Sequence, residues 1–377
     1  MIRAGQSGSG PATRLLSLPL LRGIGLLSFS LYLWHWPLLS FLRHLELELQ
    51  LPIGGAAWRL ACLTLSCGLA LASWKLVEQP IRRRQWFAAD RRCLIAAISV
   101  TVLSFVCAET LNKFDGLPAR FDSQVLRYAS PSGGDARFRR SMYAADVQGG
   151  DIYACGPRES ARRWLLLGDS HAMCLLPGLE LQARQAGIRI DQLTRFATAP
   201  LLGFDHLAIW RNDGASEFVE AAVQLAEQEP YERVILFAAW EGYLSWPTFP
   251  QALERTAAQL RQAGRKVVFV LPVPDQGLNV PLVLSGAVRS GRDPQAVGVP
   301  VSVREDRIKS LRQLLDSPAL QGIAVVDPLP ALRGPRGLVQ AAADGEALYS
   351  DHQHLSFPGA VRVAAAIFPV ISASLTP

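Results

Sequence analysis

The sequence lacks most of the patterns by which residue spacing reveals a ligand site. None of its six cysteines forms a Cys-x-x-Cys pair, which disfavours zinc. It has no glycine-rich loop of the kind that cradles phosphate groups, so neither a nucleotide site nor any other cofactor is expected. The net charge of +6 does not come from a basic stripe interleaved with aromatic side chains, and no nucleic-acid partner is expected.

The six cysteines fall into two groups. Four lie in or beside apolar runs, where a small buried residue is ordinary: Cys62, Cys67, Cys93 and Cys107. The other two, Cys155 and Cys174, lie in the more polar part of the chain. They could pair in an oxidising compartment, although the sequence does not fix the distance between them.

The first 22 residues have no apolar core followed by a small-residue cleavage site, so they do not look like a secretory signal. Three apolar segments follow, at about 23–42, 56–77 and 93–111. Each is close to the roughly 20 residues that a helix needs to cross a bilayer. We therefore predict three transmembrane helices.

The distribution of arginine predicts how these helices are oriented. Arginines precede the first segment and separate the second from the third, whereas the loop at 43–55 is poor in them: Arg3, Arg14, Arg22, Arg82, Arg83, Arg84, Arg91 and Arg92. The positive-inside rule then places the N-terminus in the cytoplasm. Three crossings put everything after residue 112 on the other side of the membrane.

Two ionisable residues of the apolar region are candidates for function, because such groups at membrane depth are costly. His35 is interpreted as a structural histidine bonded to a neighbouring helix. Glu78 is interpreted as an interfacial carboxylate paired with Arg82. We favour these structural roles because no second catalytic group accompanies either residue.

The chain divides into a membrane region (1–112), a linker (113–163) and a globular domain (164–377). In the domain, apolar runs alternate with helical patterns. The predicted strands are 164–168, 188–194, 233–239, 266–272 and 323–327. The predicted helices are near 171–186, 215–228, 250–264, 302–316 and 357–375. This alternation predicts a three-layer α/β domain, flavodoxin-like, with a parallel sheet and helices on both faces.

Ser170, in "GDSH", follows the first predicted strand, and ligands bind at the carboxyl ends of parallel strands. A nucleophilic serine needs a base, and the domain has few histidines: His171, His206, His352 and His354. In "DHQHLS", Asp351 and His354 are three residues apart, so one loop can present both. The order Ser170, Asp351, His354 is that of a catalytic triad.

Each half of this constellation also has a structural interpretation. Ser170 alone could cap the helix that follows it, and "DHQHLS" alone could be a polar turn. Because both lie at a junction before a helix, their combination favours catalysis. Asp169 is interpreted as a turn or capping residue, and His171 as structural.

These residues also carry a resemblance to a known family. "GDSH" together with "DHQHLS" resembles the SGNH (GDSL-like) hydrolases, and the domain is similar to the SGNH domains fused to bacterial acyltransferase 3 membrane proteins. "LLRGIGLLSFSLYLWHWPLL" (20–39) and "WKLVEQPIRRR" (74–84) look like the last two helices of the acyltransferase 3 domain. The third helix resembles the extra crossing that precedes the SGNH domain, and "FDGLPARF" (114–121) resembles the segment after it.

The resemblance implies a periplasmic enzyme of the bacterial inner membrane. Ser170 would be the nucleophile, His354 the general base and Asp351 the residue that orients it. The Ser170 amide would be one oxyanion donor. Members O-acylate, usually O-acetylate, cell-surface polysaccharides such as lipopolysaccharide, or exopolysaccharides. The implied partners are a glycan acceptor and an acyl donor supplied through a membrane acyltransferase domain.

The chain departs from the family pattern in two places. Only the last two helices of the acyltransferase 3 domain are matched, so acyl delivery would need a partner or a longer chain. Trp240 stands where a simple hydrolase has asparagine, as in the fused subfamily. Gly203 is the candidate for the second-block glycine, and both residues are candidates for the oxyanion hole. A carbohydrate acetylesterase with the same triad, or a non-catalytic remnant, remain alternatives.

Overall fold

The computed structural model describes residues 11–49, 56–87, 89–131, 138–204 and 214–373. The chain forms two compact units, Met1–Asp122 and Ser123–Pro377. Among the features singled out above, His206, Arg3 and part of the loop at 43–55 lie outside the described residues.

The described part of the first unit is helical. Its helices are α1 (Pro11–Leu16), α2 (Pro19–Leu49), α3 (Ala56–Ser73), a π-helix (Trp74–Glu78), α4 (Gln79–Arg82), α5 (Asp90–Lys113) and a 3-10 turn (Pro118–Arg120). Three stretches are long and apolar enough to span a membrane: Leu21–Leu42, Trp58–Arg82 and Asp90–Lys113. Their large apolar side chains are mostly exposed, as a lipid solvent permits. The three predicted apolar helices are therefore confirmed, while their orientation stays a prediction.

The polar residues of this unit have structural partners. Arg82 forms an ion pair of 2.9 Å with Glu78, as expected, and the Ser30 hydroxyl donates to the same carboxylate at 3.1 Å. Nδ1 of His35 lies 3.1 Å from the Leu31 carbonyl oxygen and 2.9 Å from that of Tyr32. The partners that the structure gives His35 are thus carbonyl oxygens of its own helix, and the expected bond to a neighbouring helix stays a prediction.

The second unit is built on a six-stranded sheet with the strand order β1-β3-β2-β4-β5-β7. The strands of the unit are β1 (Tyr153–Cys155), β2 (Arg163–Gly168), β3 (Arg189–Thr194), β4 (Arg233–Phe237), β5 (Lys266–Val270), β6 (Gly298–Pro300), β7 (Ala324–Val326), β8 (Leu338–Gln340), β9 (Ala342–Ala343) and β10 (Glu346–Ala347). All neighbours from β3 to β7 in this sheet pair in parallel, and β1 adds an antiparallel edge. Its five parallel strands follow the flavodoxin-like order, which confirms the predicted fold class.

Helices cover both faces of the sheet. They are α6 (Ser123–Ala129), α7 (Ala144–Gln148), α8 (Ser170–Ala186), α9 (Ala215–Gln228), α10 (Trp240–Tyr243), α11 (Phe249–Gln262), α12 (Val280–Arg289), α13 (Val301–Arg307), α14 (Lys309–Leu315), α15 (Leu329–Leu332) and α16 (Phe357–Ala373), with 3-10 turns at Pro294–Ala296, Pro318–Leu320 and Pro335–Gly337. The predicted helix at 302–316 is two helices, α13 and α14, divided at Ile308.

Alternate residues of β2 point to opposite layers, as the pleat of a strand requires. Leu165 and Leu167 belong to a buried cluster shared with α9 and α11. Trp164 instead packs against Phe368 of α16, with ring centroids 5.0 Å apart. On that face α8 crosses α16 so closely that a Cβ at Gly178 would collide with the backbone of Ala360. This contact fixes the helix that begins at Ser170 against the helix that follows His354.

The segment expected to be a linker differs from the prediction. Residues 123–163 belong to the second unit and contribute α6, α7 and β1 to it. Helix α6 packs on α12, and the amide of Gln192 on β3 donates to the Phe138 carbonyl at 2.7 Å. These elements are too short to show a hydrophobic period, and they are stabilised by contacts with residues distant in the sequence.

Candidate active site

A sharp turn between β2 and α8 positions Ser170. Strand β2 ends at Gly168, where a Cβ would collide with the Phe237 carbonyl oxygen of the next strand. Asp169 is the N-cap of α8, and its carboxylate accepts the His171 backbone N–H at 2.8 Å. Ser170 is then the first residue of the helix. Since β2 lies where the strand order reverses, the serine occupies the switch point at which flavodoxin-like folds bind ligands.

The loop before α16 presents Asp351 and His354 in a fixed geometry. One carboxylate oxygen of Asp351 accepts the backbone N–H groups of Gln353 and His354, both at 2.8 Å. The other lies 2.6 Å from Nδ1 of the His354 ring. The Ser350 N–H donates to the His354 carbonyl at 2.8 Å, which closes the loop. Five residues therefore suffice to orient the imidazole.

The structure brings Ser170 and His354 together although they are 184 residues apart in the sequence. Ser170 Oγ lies 2.8 Å from His354 Nε2. Because the Asp351 carboxylate can only accept, Nδ1 of His354 carries the proton and Nε2 accepts from the serine hydroxyl. The three side chains thus form a continuous hydrogen-bonded chain, in the arrangement that activates a serine for nucleophilic attack.

Asp351 is held in its ionised form. Burial opposes ionisation, but the hydrogen bond from the His354 ring and those from the His354 and Gln353 N–H groups outweigh it. The pKa of Asp351 is therefore well below its usual value. The carboxylate stays charged at neutral pH, where it can stabilise a protonated imidazole.

A cavity of about 420 Å³ opens over the triad, hereafter the catalytic cavity. Beside the triad residues, its wall is formed by Arg139, Met173, Cys174, Phe196, Ala197, Ser350 and Gln353. The Phe196 side chain is 49% exposed. The cavity therefore joins an apolar wall to one basic side chain, a combination common in small-molecule sites.

The oxyanion candidates divide between the cavity and the core. Ser170 N–H, at the first turn of α8, has no acceptor among the described residues and lies in the positive field of the helix N-terminus. Trp240 is fully buried, and its indole N–H donates to the Val270 carbonyl at 2.9 Å. Gly203 lies beside Arg255, outside the wall of the catalytic cavity. The Trp240 indole N–H is therefore committed within the core, and Gly203 is not among the described residues that line the catalytic cavity.

The sequence reasoning missed Ala197. It lines the catalytic cavity and has φ of +49°, a left-handed conformation that a non-glycine residue rarely adopts. Through this strained turn, the segment that follows β3 contributes to the same cavity as Ser170. Its sequence, "RFATAP", contains no glycine, so it gave no signal of a left-handed residue.

Asp169 and His171, on either side of the serine, have structural partners. The second oxygen of Asp169 accepts the Ala239 N–H at 3.0 Å and the Tyr243 hydroxyl at 2.8 Å. Burial, and then the nearby Asp169 charge, raise the pKa of Tyr243, which keeps its hydroxyl a donor. His171 is buried, with its ring 4.9 Å from that of His354. Asp169 therefore ties the end of β2 to the segment after β4.

Cys155 and Cys174 are both free in the structure. Burial raises the pKa of each thiol to about 12, so both stay protonated at neutral pH. Cys174 lines the catalytic cavity one helical turn after Ser170, where a thiol of this kind acts as a small apolar side chain.

Comparison with known proteins identifies the family of the domain. The family described as "SGNH domain (fused to AT3 domains)" matches residues 139–369, more than half of the chain. The periplasmic domain of a lipopolysaccharide acetyltransferase from Salmonella ser. Paratyphi A is 18% identical, with a TM-score of 0.49, over 62% of this chain and 90% of that one. TesA is 14% identical, with a TM-score of 0.34, over 57% of this chain and 100% of that one. No curated protein matches the chain.

The fold and the match agree on the class: an α/β domain of the SGNH type that follows three apolar helices. The chain belongs to the family of SGNH domains fused to acyltransferase 3 domains. The similarity of residues 20–39 and 74–84 to an acyltransferase 3 domain stays a prediction.

Proposed function

We propose that this chain is a membrane-anchored O-acyltransferase that passes an acyl group, most simply acetyl, through Ser170 to a hydroxyl of a glycan. The observation that carries the proposal is the hydrogen-bonded chain from Ser170 through His354 to Asp351. Membership of the SGNH family supports acyl chemistry at this serine.

In the acylation step, Ser170 Oγ attacks the carbonyl carbon of the acyl donor while its proton moves to His354 Nε2. The Asp351 carboxylate stabilises the resulting imidazolium through Nδ1–H. In this proposal the Ser170 N–H stabilises the oxyanion of the tetrahedral intermediate. Collapse of the intermediate breaks the bond to the donor, whose leaving oxygen takes the proton from His354, and leaves an ester on Ser170.

In the transfer step, His354 Nε2 accepts the proton of an acceptor hydroxyl, and that oxygen attacks the ester carbonyl. The Ser170 oxygen leaves and recovers the proton from His354. Water can replace the acceptor in the same geometry, which would make the reaction a hydrolysis. The identity of the acceptor that reaches the ester therefore decides between a transferase and an acetylesterase.

The proposed setting is the bacterial inner membrane. Three apolar helices anchor the chain, and the arginine distribution favours a cytoplasmic N-terminus with the SGNH domain in the periplasm. There the acceptor would be a cell-surface polysaccharide such as lipopolysaccharide, or an exopolysaccharide. The acyl donor would be supplied by a membrane acyltransferase domain, in a partner or in a longer chain.

The test uses the full chain in detergent micelles with p-nitrophenyl acetate as donor, with and without an oligosaccharide acceptor. We expect p-nitrophenol release that is lost in Ser170→Ala and retained in Ser310→Ala, a control at an exposed serine of α14. Mass spectrometry of the acceptor should show added acetyl groups that depend on Ser170.

Ser170-dependent release without acetylation of any glycan would favour the acetylesterase. Release that is equal in Ser170→Ala and the unaltered chain would contradict the proposed nucleophile. It would favour a remnant without catalytic activity.

A further inference from the structure

A second cavity, of about 280 Å³, lies at the carboxyl ends of β4 and β5 and is hereafter the side cavity. Gln353, the neighbour of His354, lines both the side cavity and the catalytic cavity. His171, the neighbour of Ser170, also lines the side cavity. The two cavities are therefore neighbours that share Gln353 in their walls.

Two buried polar atoms at the side cavity lack hydrogen-bond partners among the described residues. They are Nε2 of His171 and Oε1 of Glu241. His171 is only 4% exposed. A buried polar atom without a partner costs free energy, so such atoms are rare in folded proteins. Both residues line the side cavity, so a ligand with hydrogen-bonding groups there would supply the missing partners once these side chains turn toward it.

The charges at the side cavity indicate a neutral ligand. Arg307 lies 3.9 Å from the Glu241 carboxylate and donates to the Asp275 carbonyl at 2.8 Å. Two carboxyl groups, of Glu241 and Asp275, accompany this one guanidinium, which disfavours an anion. No cluster of three or more His, Cys, Asp or Glu in the described ranges is arranged to hold a metal ion.

The side chains present are those that bind a polyol. Burial lowers the pKa of His171, so its neutral ring offers one donor and one acceptor. Glu241 accepts, and Arg307 donates. A sugar hydroxyl can donate to a carboxylate and accept from a guanidinium at the same time. The volume is just below the roughly 300 Å³ at which pockets for drug-sized ligands begin, which favours one ring over an extended chain.

We propose that the side cavity binds one neutral sugar ring of the glycan acceptor, through hydroxyl hydrogen bonds to Glu241, His171 and Arg307. A hydroxyl of this ring, or of the ring attached to it, is thereby directed toward the acyl ester on Ser170. The role in transfer rests on the proposed function, whereas the binding of the sugar does not.

The test measures binding without turnover. The full chain carrying Ser170→Ala, in detergent micelles, is titrated with methyl glycosides of glucose, galactose, mannose and rhamnose, and binding is followed by saturation-transfer NMR. We expect at least one glycoside to bind with a Kd that rises about tenfold when Glu241→Gln is added, the scale of one hydrogen bond to a charged group. Glu217→Gln, on the exposed side of α9, is the matched control and should leave the Kd unchanged.

Two outcomes would overturn the side cavity as a sugar site. One is the absence of binding by all four glycosides, and the other is binding that Glu241→Gln and Arg307→Gln leave unchanged. If Glu241→Gln does not melt cooperatively and is therefore not properly folded, the Kd of Arg307→Gln alone tests the site. Sugar binding without Ser170-dependent acyl transfer by the unaltered chain would instead retain the site and reject the proposed function.

Discussion

The catalytic cavity and the side cavity are neighbours, but they differ in how many of their polar atoms have hydrogen-bond partners within the protein. In the catalytic cavity, Ser170 Oγ, both ring nitrogens of His354 and both carboxylate oxygens of Asp351 have protein partners. In the side cavity, one atom each of His171 and Glu241 has none among the described residues. The atoms of the catalytic cavity are held in place before any ligand binds. The atoms of the side cavity keep hydrogen-bonding capacity that a ligand can use.

The difference teaches how a structure separates chemistry from recognition. Groups that transfer protons must hold a geometry, and hydrogen bonds within the protein impose it. Groups that recognise a substrate must keep hydrogen-bonding capacity that other groups of the protein do not use. Substitutions should accordingly damage activity in one cavity and cost little stability in the other.

The largest effect is expected from Asp351→Asn. The asparagine carbonyl can still accept the two backbone N–H groups, but its NH₂ would face Nδ1 of His354 and favour the wrong tautomer. We expect a fall of about 10²-fold or more in kcat with p-nitrophenyl acetate, and little change in Tm. The stopped-time release of p-nitrophenol measures it. An activity within twofold of the unaltered chain would mean that His354 does not need its carboxylate partner.

The next effect is on stability and comes from Asp169→Asn. Asp169 is buried and accepts from the His171 and Ala239 N–H groups and the Tyr243 hydroxyl. An amide NH₂ in place of the second oxygen would oppose the Ala239 N–H, at a cost of about 1–3 kcal/mol. Differential scanning fluorimetry should show a lower Tm than for Asp306→Asn, an exposed control on α13. Equal Tm values would show that this tie between β2 and β4 contributes nothing.

A smaller effect is expected from the pH. Burial lowers the pKa of His171 in the folded protein, partly offset by the charges of Asp169 and Asp351 and reinforced by His354. The unfolded chain therefore binds a proton first, and this contribution to stability is present above about pH 6.5 and is lost as the pH falls below it. Melting curves from pH 7.5 to 5 should fall less steeply in His171→Gln. Parallel curves for the two proteins would contradict a buried neutral His171.

The smallest change is expected in the Tm of Glu241→Gln. Burial raises the pKa of the Glu241 carboxyl group and outweighs the opposing effects of Arg307 and of the Asp275 backbone hydrogen bond, so removing the charge gives up little. We expect a change within about 0.5 kcal/mol of unfolding free energy, as for an ordinary surface substitution. A loss as large as that of Asp169→Asn would remove the contrast between the two cavities, since Glu241 would then hold the fold together.

How well a feature of this protein could be predicted depends on how far apart in the sequence the contacting residues are. The parallel strands and the helices α8, α9, α11 and α16 were predicted to within a few residues, because each buries an apolar run with its own period. Helix α12 was not predicted. Asp351 and His354 were predicted together because only two residues lie between them. Ser170 was paired with them only through the order of the motifs.

What the sequence did not reveal depends on contacts between distant segments. Helix α6 finds its partner in α12, and Ala197 reaches the catalytic cavity through a turn without glycine. Trp240 was a candidate oxyanion donor, but its indole N–H is taken by Val270 on the adjacent strand. Glu241 follows Trp240 directly and attracted no interpretation, because a single carboxylate in the sequence does not reveal the cavity that it lines.

The close crossing of α8 and α16 has a consequence for the nascent protein. Ser170 is synthesised 184 residues before His354, and the helix that holds the base loop in place comes later still. At about 5–20 residues per second, the nucleophile waits on the order of 10 to 40 s for its base. Until α16 docks at Gly178, Ser170 of the nascent chain has no base and is no more nucleophilic than any other serine. The proposed acyl transfer can therefore begin only once α16 has been made and has folded onto the domain.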